Sequence, residues 1–98
     1  MDLIYPGDDP AKTTTYTGTA GSTGTFPNNP KALLVWTTTD AYVKVGDGVT
    51  ATSSDLPLPA YTPVLLAVPQ NAILPRVSAI QIAAAGSVYA KVVGGARV

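Results

Sequence analysis

Apolar and polar positions alternate along this chain in short bursts. Between Ala41 and Val45, the residues Ala41, Val43 and Val45 alternate with Tyr42 and Lys44. A period of two predicts a half-buried strand. From Ala32 to Thr38 both faces begin apolar, with Leu33 and Val35 on one and Leu34 and Trp36 on the other. That pattern predicts a central strand, or one whose outer side meets a partner. Val64 to Val68, Arg76 to Ala83 and Val88 to Val93 are further β-rich runs bounded by Gly, Pro or other turn residues. No long helical period occurs, and the three alanines from Ala83 to Ala85 are too few to nucleate a helix.

Between these runs the pattern is weaker. Residues 13 to 26 are rich in Thr but carry Gly18, Gly21 and Gly24, so they predict one poor strand near Thr13 to Thr17 and another near Gly24 to Phe26. Pro27-Asn-Asn-Pro30 predicts a loop, and Pro69 to Ala72 a turn. Gly46-Asp-Gly48 predicts a tight turn, after which Val49 to Thr52 pairs back as a hairpin. In Asp55-Leu-Pro-Leu-Pro59 the prolines donate nothing to a ladder, so this segment is no central strand. Leu56 and Leu58 are expected to plug one end of the fold.

Residues 1 to 12 read as an extended arm, because Pro6 and Pro10 fix φ and remove donors around the apolar group Leu3-Ile4-Tyr5. Such an arm is either disordered or docked on a neighbour. The expected fold is all-β: a small antiparallel β-sandwich or barrel, jelly-roll or Ig-like, formed by a single domain at 13–98 with that arm at 1–12. The expected core holds Leu33, Val35, Val43, Val45, Leu66, Val77, Ala79, Ile80 and Val92.

Composition sharpens this picture. The chain has 98 residues, one domain's worth. A domain this small often needs a disulfide, a metal or oligomerisation to support its core. Cysteine and histidine are both absent. Disulfides are thereby excluded, and any metal site falls to carboxylates and carbonyls. Charged residues make up 12% of the chain, against about 25% in ordinary soluble domains. Net charge is zero, so no long-range field attracts nucleic acid. Mean hydropathy is +0.23, yet no apolar run approaches the ~20 residues of a membrane span. A weakly charged, mildly hydrophobic domain is explained by a surface partly covered by partners. The alternative is that its many Thr and Ser residues keep it soluble as a monomer. The N-terminus has neither a basic segment nor a long apolar one, so no secretory signal is expected and the chain is expected to be made and used from the cytoplasm, with a periplasmic or exported mature domain as the alternative, since lack of cysteine does not separate them.

Candidate chemistry is sparse. A nucleophile with a base, paired carboxylates or a metal would be needed for catalysis. Asp40, Asp47 and Asp55 occupy predicted turns or loops, where Asp commonly bonds backbone. Calcium would have Asp8 and Asp9, or the Asp47 loop, but no recognised ligand spacing is present. No catalytic residue, cofactor or metal is therefore expected. Trp36 and the tyrosines are the remaining candidates, either as core and interface residues or as stacking platforms for sugar rings.

Three strings carry a resemblance: Trp36-Thr-Thr-Thr-Asp40-Ala-Tyr-Val-Lys-Val-Gly46, Val49-Thr-Ala-Thr-Ser-Ser-Asp55-Leu-Pro-Leu-Pro-Ala60 and Val77-Ser-Ala-Ile-Gln-Ile-Ala-Ala-Ala-Gly86-Ser-Val-Tyr89-Ala90. Together they resemble small virion-associated proteins of tailed bacteriophages. The resemblance implies a β domain used in a phage particle, as a head decoration or cement protein that is not an enzyme. Its implied partners are the major capsid protein and further copies of itself, expected as a trimer, with no nucleic acid and no membrane. The implied location is the virion, assembled in the host cytoplasm. Expected interface residues are Leu3, Ile4, Tyr5, Trp36 and Tyr61. The competing reading is a carbohydrate- or receptor-binding β module of a phage tail fibre.

Overall fold

The computed structural model describes the backbone of residues 2–6, 11–26, 32–69 and 74–97, with side chains for 11–26, 32–69 and 74–92. These form β1 (Asp2–Pro6), β2 (Lys12–Tyr16), β3 (Gly21–Ser22), β4 (Ala32–Thr37), β5 (Ala41–Asp47), β6 (Leu56–Leu58), β7 (Val64–Ala67), β8 (Pro75–Gln81) and β9 (Gly86–Arg97). Among the described residues there is no helix.

The antiparallel ladders nest. β2 pairs with β9, β3 with β8, β4 with β7 and β5 with β6. A chain that pairs its ends with each other and its middle with itself is one long hairpin. Here the hairpin is rolled, because β4 also pairs β9 and β5 also pairs β8. Two sheets result, β2-β9-β4-β7 and β3-β8-β5-β6, with β1 added to the first along β9. This is the jelly-roll topology, two Greek keys closed face to face. The expected all-β sandwich is present, and the ladder order selects jelly roll over Ig-like.

The length of β9 explains the place of β1. Residues 86–90 of β9 take β2 and residues 93–97 take β1, so the two short strands follow each other along one edge. Pro6 pairs with Val93 and Lys12 with Ala90.

The core lies between the inner faces. Leu33 and Val35 of β4, Val88 and Ala90 of β9, Ala41 and Val43 of β5, Val77 and Ala79 of β8 and Leu58 of β6 form one buried cluster. Val45, Val64, Leu66, Val68 and Val92 pack against it from partly buried positions. Tyr16 and Phe26 are also in the cluster and are its largest side chains. Neither was expected there, because Thr and Gly neighbours conceal them in the sequence. Ile80 is corrected: it is half-buried and outside the cluster, since on β8 it falls opposite Tyr42, on the face turned away from Val77 and Ala79.

Three expected segments are also corrected. Val49 to Thr52 forms no hairpin strand; it is a strap across the outer side of the second sheet. The Ala51 N–H donates to the Ser78 hydroxyl at 2.9 Å, that hydroxyl donates to the Gly21 carbonyl at 3.1 Å, and both Ala51 and Ser78 are buried. Nε and Nη2 of Arg76 donate to the Val49 carbonyl at 3.1 and 3.0 Å, tying down the same strap. Gly48 reverses the chain into it at φ +58°, a left-handed conformation that glycine adopts without a Cβ penalty. Gly24 to Phe26 is likewise not a strand, although the Thr23 and Phe26 N–H groups each donate at 2.8 Å to β8 carbonyls, of Val77 and Pro75. Finally, only Leu58 plugs the fold. Leu56 is half-exposed, because β6 is an edge strand that pairs β5 alone. The edge position agrees with Pro57, which lacks a donor. Pro27 to Pro30 and residues 70–72 of the expected second turn lie outside the described residues.

Candidate functional site

Strand alternation sorts the first sheet into a buried inner face and a half-buried outer one. With Leu33, Val35, Val88 and Ala90 inward, Leu34, Trp36, Tyr89 and Lys91 face out. Tyr89 lies directly opposite Trp36, and Lys91 opposite Leu34, which in turn lies opposite Leu65 of β7. The Trp36 and Tyr89 rings are 5.4 Å apart between centroids and within 6° of parallel. At that separation the stack is offset, the favoured arrangement for two quadrupoles. Leu65 is 43% exposed. The outer face thus combines apolar side chains, an aromatic stack and Lys91 at the register position opposite Leu34.

A second apolar region sits at one end of the sandwich. Pro57, Leu58, Pro59, Ile82 and Asp40 line a shallow pocket of about 230 Å³. The β5–β6 ladder pairs Leu58 with Ala41, next to Asp40, and the Ile82 N–H donates to the Asp40 carbonyl at 3.2 Å, so the chain leaving β8 closes the other wall. Oδ1 of Asp40 accepts the Ala60 N–H at 2.9 Å. The next residue, Tyr61, has φ +54°, and its N–H donates to the Thr37 carbonyl at 2.7 Å. A bulky non-glycine residue in the left-handed region is a genuine outlier. Tyr61 is nonetheless 72% exposed, so no core packing of its side chain accounts for that conformation.

The other described carboxylates serve their loops. Asp47 Oδ1 accepts the Leu74 N–H at 2.9 Å. Asp55 Oδ2 accepts the Thr52 N–H at 2.7 Å and its hydroxyl at 3.3 Å. Among the described residues, no three acidic side chains gather where they could hold a metal ion. Lys12 extends its ammonium over the Phe26 ring, 5.6 Å from the centroid. Among the described residues no helix is long and apolar enough to cross a membrane.

Of the residues expected at an interface, Trp36 faces out of the first sheet in a stack with Tyr89, and Tyr61 stands exposed beside the end of the same strand. The backbone of Leu3, Ile4 and Tyr5 runs along β9, and their side chains lie outside the described residues. The sequence reading missed the partnership of Trp36 with Tyr89, the outward Leu65, and the pocket. Alternation around Val88 and Ala90 carries the Tyr89 signal; the pocket has none, since its walls come from separate parts of the chain. Comparison with protein-family models, with curated proteins and with solved structures finds no match to this chain.

Proposed function

We propose that this chain is a structural protein of a tailed-phage virion, a decoration or cement protein that binds the major capsid protein and further copies of itself, as a trimer, and performs no catalysis. The observation that carries this reading is the outer face of the first sheet, where Leu34, Trp36, Leu65 and Tyr89 form one apolar surface on a domain with few charges. Leu65 is exposed and Leu34, Trp36 and Tyr89 are half-buried, so part of this apolar surface stays open to solvent, as at interaction sites on small soluble domains. The polar groups are in keeping with the same reading, since each described carboxylate accepts an N–H of the chain's own loops. Repetition over a lattice multiplies a weak contact through effective concentration. Jelly rolls occur in capsid and lectin domains alike, so the topology is compatible with this function without selecting it.

The half-buried Trp36–Tyr89 pair gives the tail-fibre reading, a carbohydrate- or receptor-binding module, its one specific support. Against it, each ring commits part of one face to the other, which leaves less free face to lie on a sugar. The test is sedimentation of the purified chain with capsids that lack it, beside a glycan array. Binding to capsids that is lost in Trp36→Ala and Leu65→Asp supports the decoration role. Glycan binding that depends on Trp36, with no capsid binding, replaces it with the alternative.

A further inference from the structure

We infer that the pocket at the Asp40 end of the sandwich receives one apolar side chain of a partner protein, with a lysine or arginine next to it facing Asp40. This rests on the reading of the chain as an interaction module and adds the chemistry of what it takes. Size comes first. Small-molecule sites occupy about 300–1,000 Å³, whereas this pocket is about 230 Å³ and shallow. It has room for a side chain, not for a whole ligand. Its lining comes next. Pro57, Leu58, Pro59 and Ile82 present carbon, and the two prolines have no N–H to offer a hydroxyl. A sugar would therefore lose hydrogen bonds to water without replacing them. An aliphatic or aromatic side chain loses nothing.

Charge fixes the neighbour. Asp40 is the one ionisable residue in the lining, and its exposed carboxylate is oriented by the Ala60 N–H. A cation beside the inserted side chain complements it, while an acid in that place is repelled. The adjoining loop is prepared for contact. Pro59 and Pro63 bracket it, Asp40 holds Ala60, and the Thr37 carbonyl holds Tyr61 in its left-handed conformation. A loop ordered in advance loses little freedom on binding. An exposed tyrosine on such a loop is the kind of residue that anchors protein interfaces.

The experiment is a titration of isotope-labelled chain, followed by amide NMR, with two blocked peptides that differ in one residue: Gly-Ser-Lys-Leu-Ser-Gly and Gly-Ser-Glu-Leu-Ser-Gly. The lysine peptide is expected to shift Asp40, Leu58, Tyr61 and Ile82, and to bind about two- to fivefold more tightly than the glutamate peptide, the range of one exposed ion pair. Asp40→Asn keeps the oxygen that accepts from Ala60 and removes the charge, so it should equalise the two peptides. Absence of shifts at these residues up to on the order of 10 mM peptide, or shifts indifferent to the peptide's charge, overturns the inference. Shifts at the same residues on raising the chain's own concentration, without peptide, also overturn it, because the occupant is then a second copy. Capsid sedimentation separates this from the proposed function. Peptide binding without capsid binding removes the capsid role and leaves the pocket; capsid binding unchanged in Ile82→Asp, with no peptide binding, removes the pocket alone.

Discussion

The Tyr16 hydroxyl lies 2.7 Å from the hydroxyl of Thr39 and 2.9 Å from its carbonyl oxygen, joining the end of β2 to the turn after β4. The Thr39 hydroxyl donates in turn to the Ala84 carbonyl at 3.0 Å, which leaves the Tyr16 O–H as the donor between the two hydroxyls, while the Thr39 N–H donates to the Tyr16 oxygen at 3.3 Å. The corner is closely packed: a Cβ on Gly86 would stand 2.9 Å from the Tyr16 hydroxyl and 2.8 Å from that of Thr38. Glycine at this position lets β9 begin against the corner.

Tyr16→Phe keeps the buried ring and deletes this link. The loss should be about 1–2 kcal/mol, which lowers the melting temperature by roughly 4–8 °C per kcal/mol in a domain of this size. Thermal denaturation checks the value, and a double-mutant cycle with Thr39→Val should show coupling between the two sites. Additive effects of the two substitutions would contradict the bond between the two hydroxyls.

Thr37 makes the opposite case. Its hydroxyl is fully buried on the inner face of the first sheet and has no hydrogen-bond partner among the described residues. An unsatisfied buried hydroxyl costs about 1–3 kcal/mol. Thr37→Val preserves the shape and β-branching, so it should raise the denaturation midpoint by the equivalent of about 1 kcal/mol. A midpoint that falls by as much would mean that the hydroxyl is bonded in solution.

Leu33 and Ile80 look equally apolar in sequence but should respond differently. Leu33 has no exposed surface and stands in the central cluster, and Leu33→Ala should cost about 2–5 kcal/mol. That is a large part of a domain stability of about 5–15 kcal/mol. Ile80 is half-buried outside the cluster, so Ile80→Ala should cost well under half as much. Urea titrations of the two variants check the order, and equal losses would place Ile80 in the core.

The segment before β2 tests the assembly role. Among the described residues, β1 pairs with residues 93–97 of β9, beyond the part of β9 that pairs β2 and β4. A two-stranded ribbon is marginally stable by itself. Deleting residues 1–6 should leave the melting temperature of the β2–β9 sandwich within a few degrees while lowering oligomer mass in analytical ultracentrifugation. An unchanged mass would leave the segment without an assembly function.

What could be read from sequence follows the strength of local alternation. Ala32–Thr37 was legible from its apolar run and Ala41–Val45 from its alternation, whereas Gly46 and Asp47, expected in a turn, extend β5 instead because they continue its ladder with Arg76 and Pro75. Val49–Thr52 was misread because its Val and Thr residues suit a strand, while its actual fate depends on Ser78 and Arg76, which lie far along the chain. Tyr16 and Phe26 were hidden by Thr- and Gly-rich surroundings that offer no apolar period. Trp36 stands out in the sequence as a large aromatic in an apolar strand, but its stack with Tyr89 depends on β4–β9 register. The pocket depends on bringing residues 40, 57–59 and 82 together, which only the rolled hairpin does.

The central claim, that this domain works by docking on a capsid lattice, is tested most directly by counting it in purified phage particles. Quantitative mass spectrometry against the major capsid protein should give a fixed ratio set by the lattice, and particles assembled with the Trp36→Ala chain should carry far fewer copies. Absence of the chain from particles, or a ratio that varies between preparations and ignores Trp36, would contradict the account.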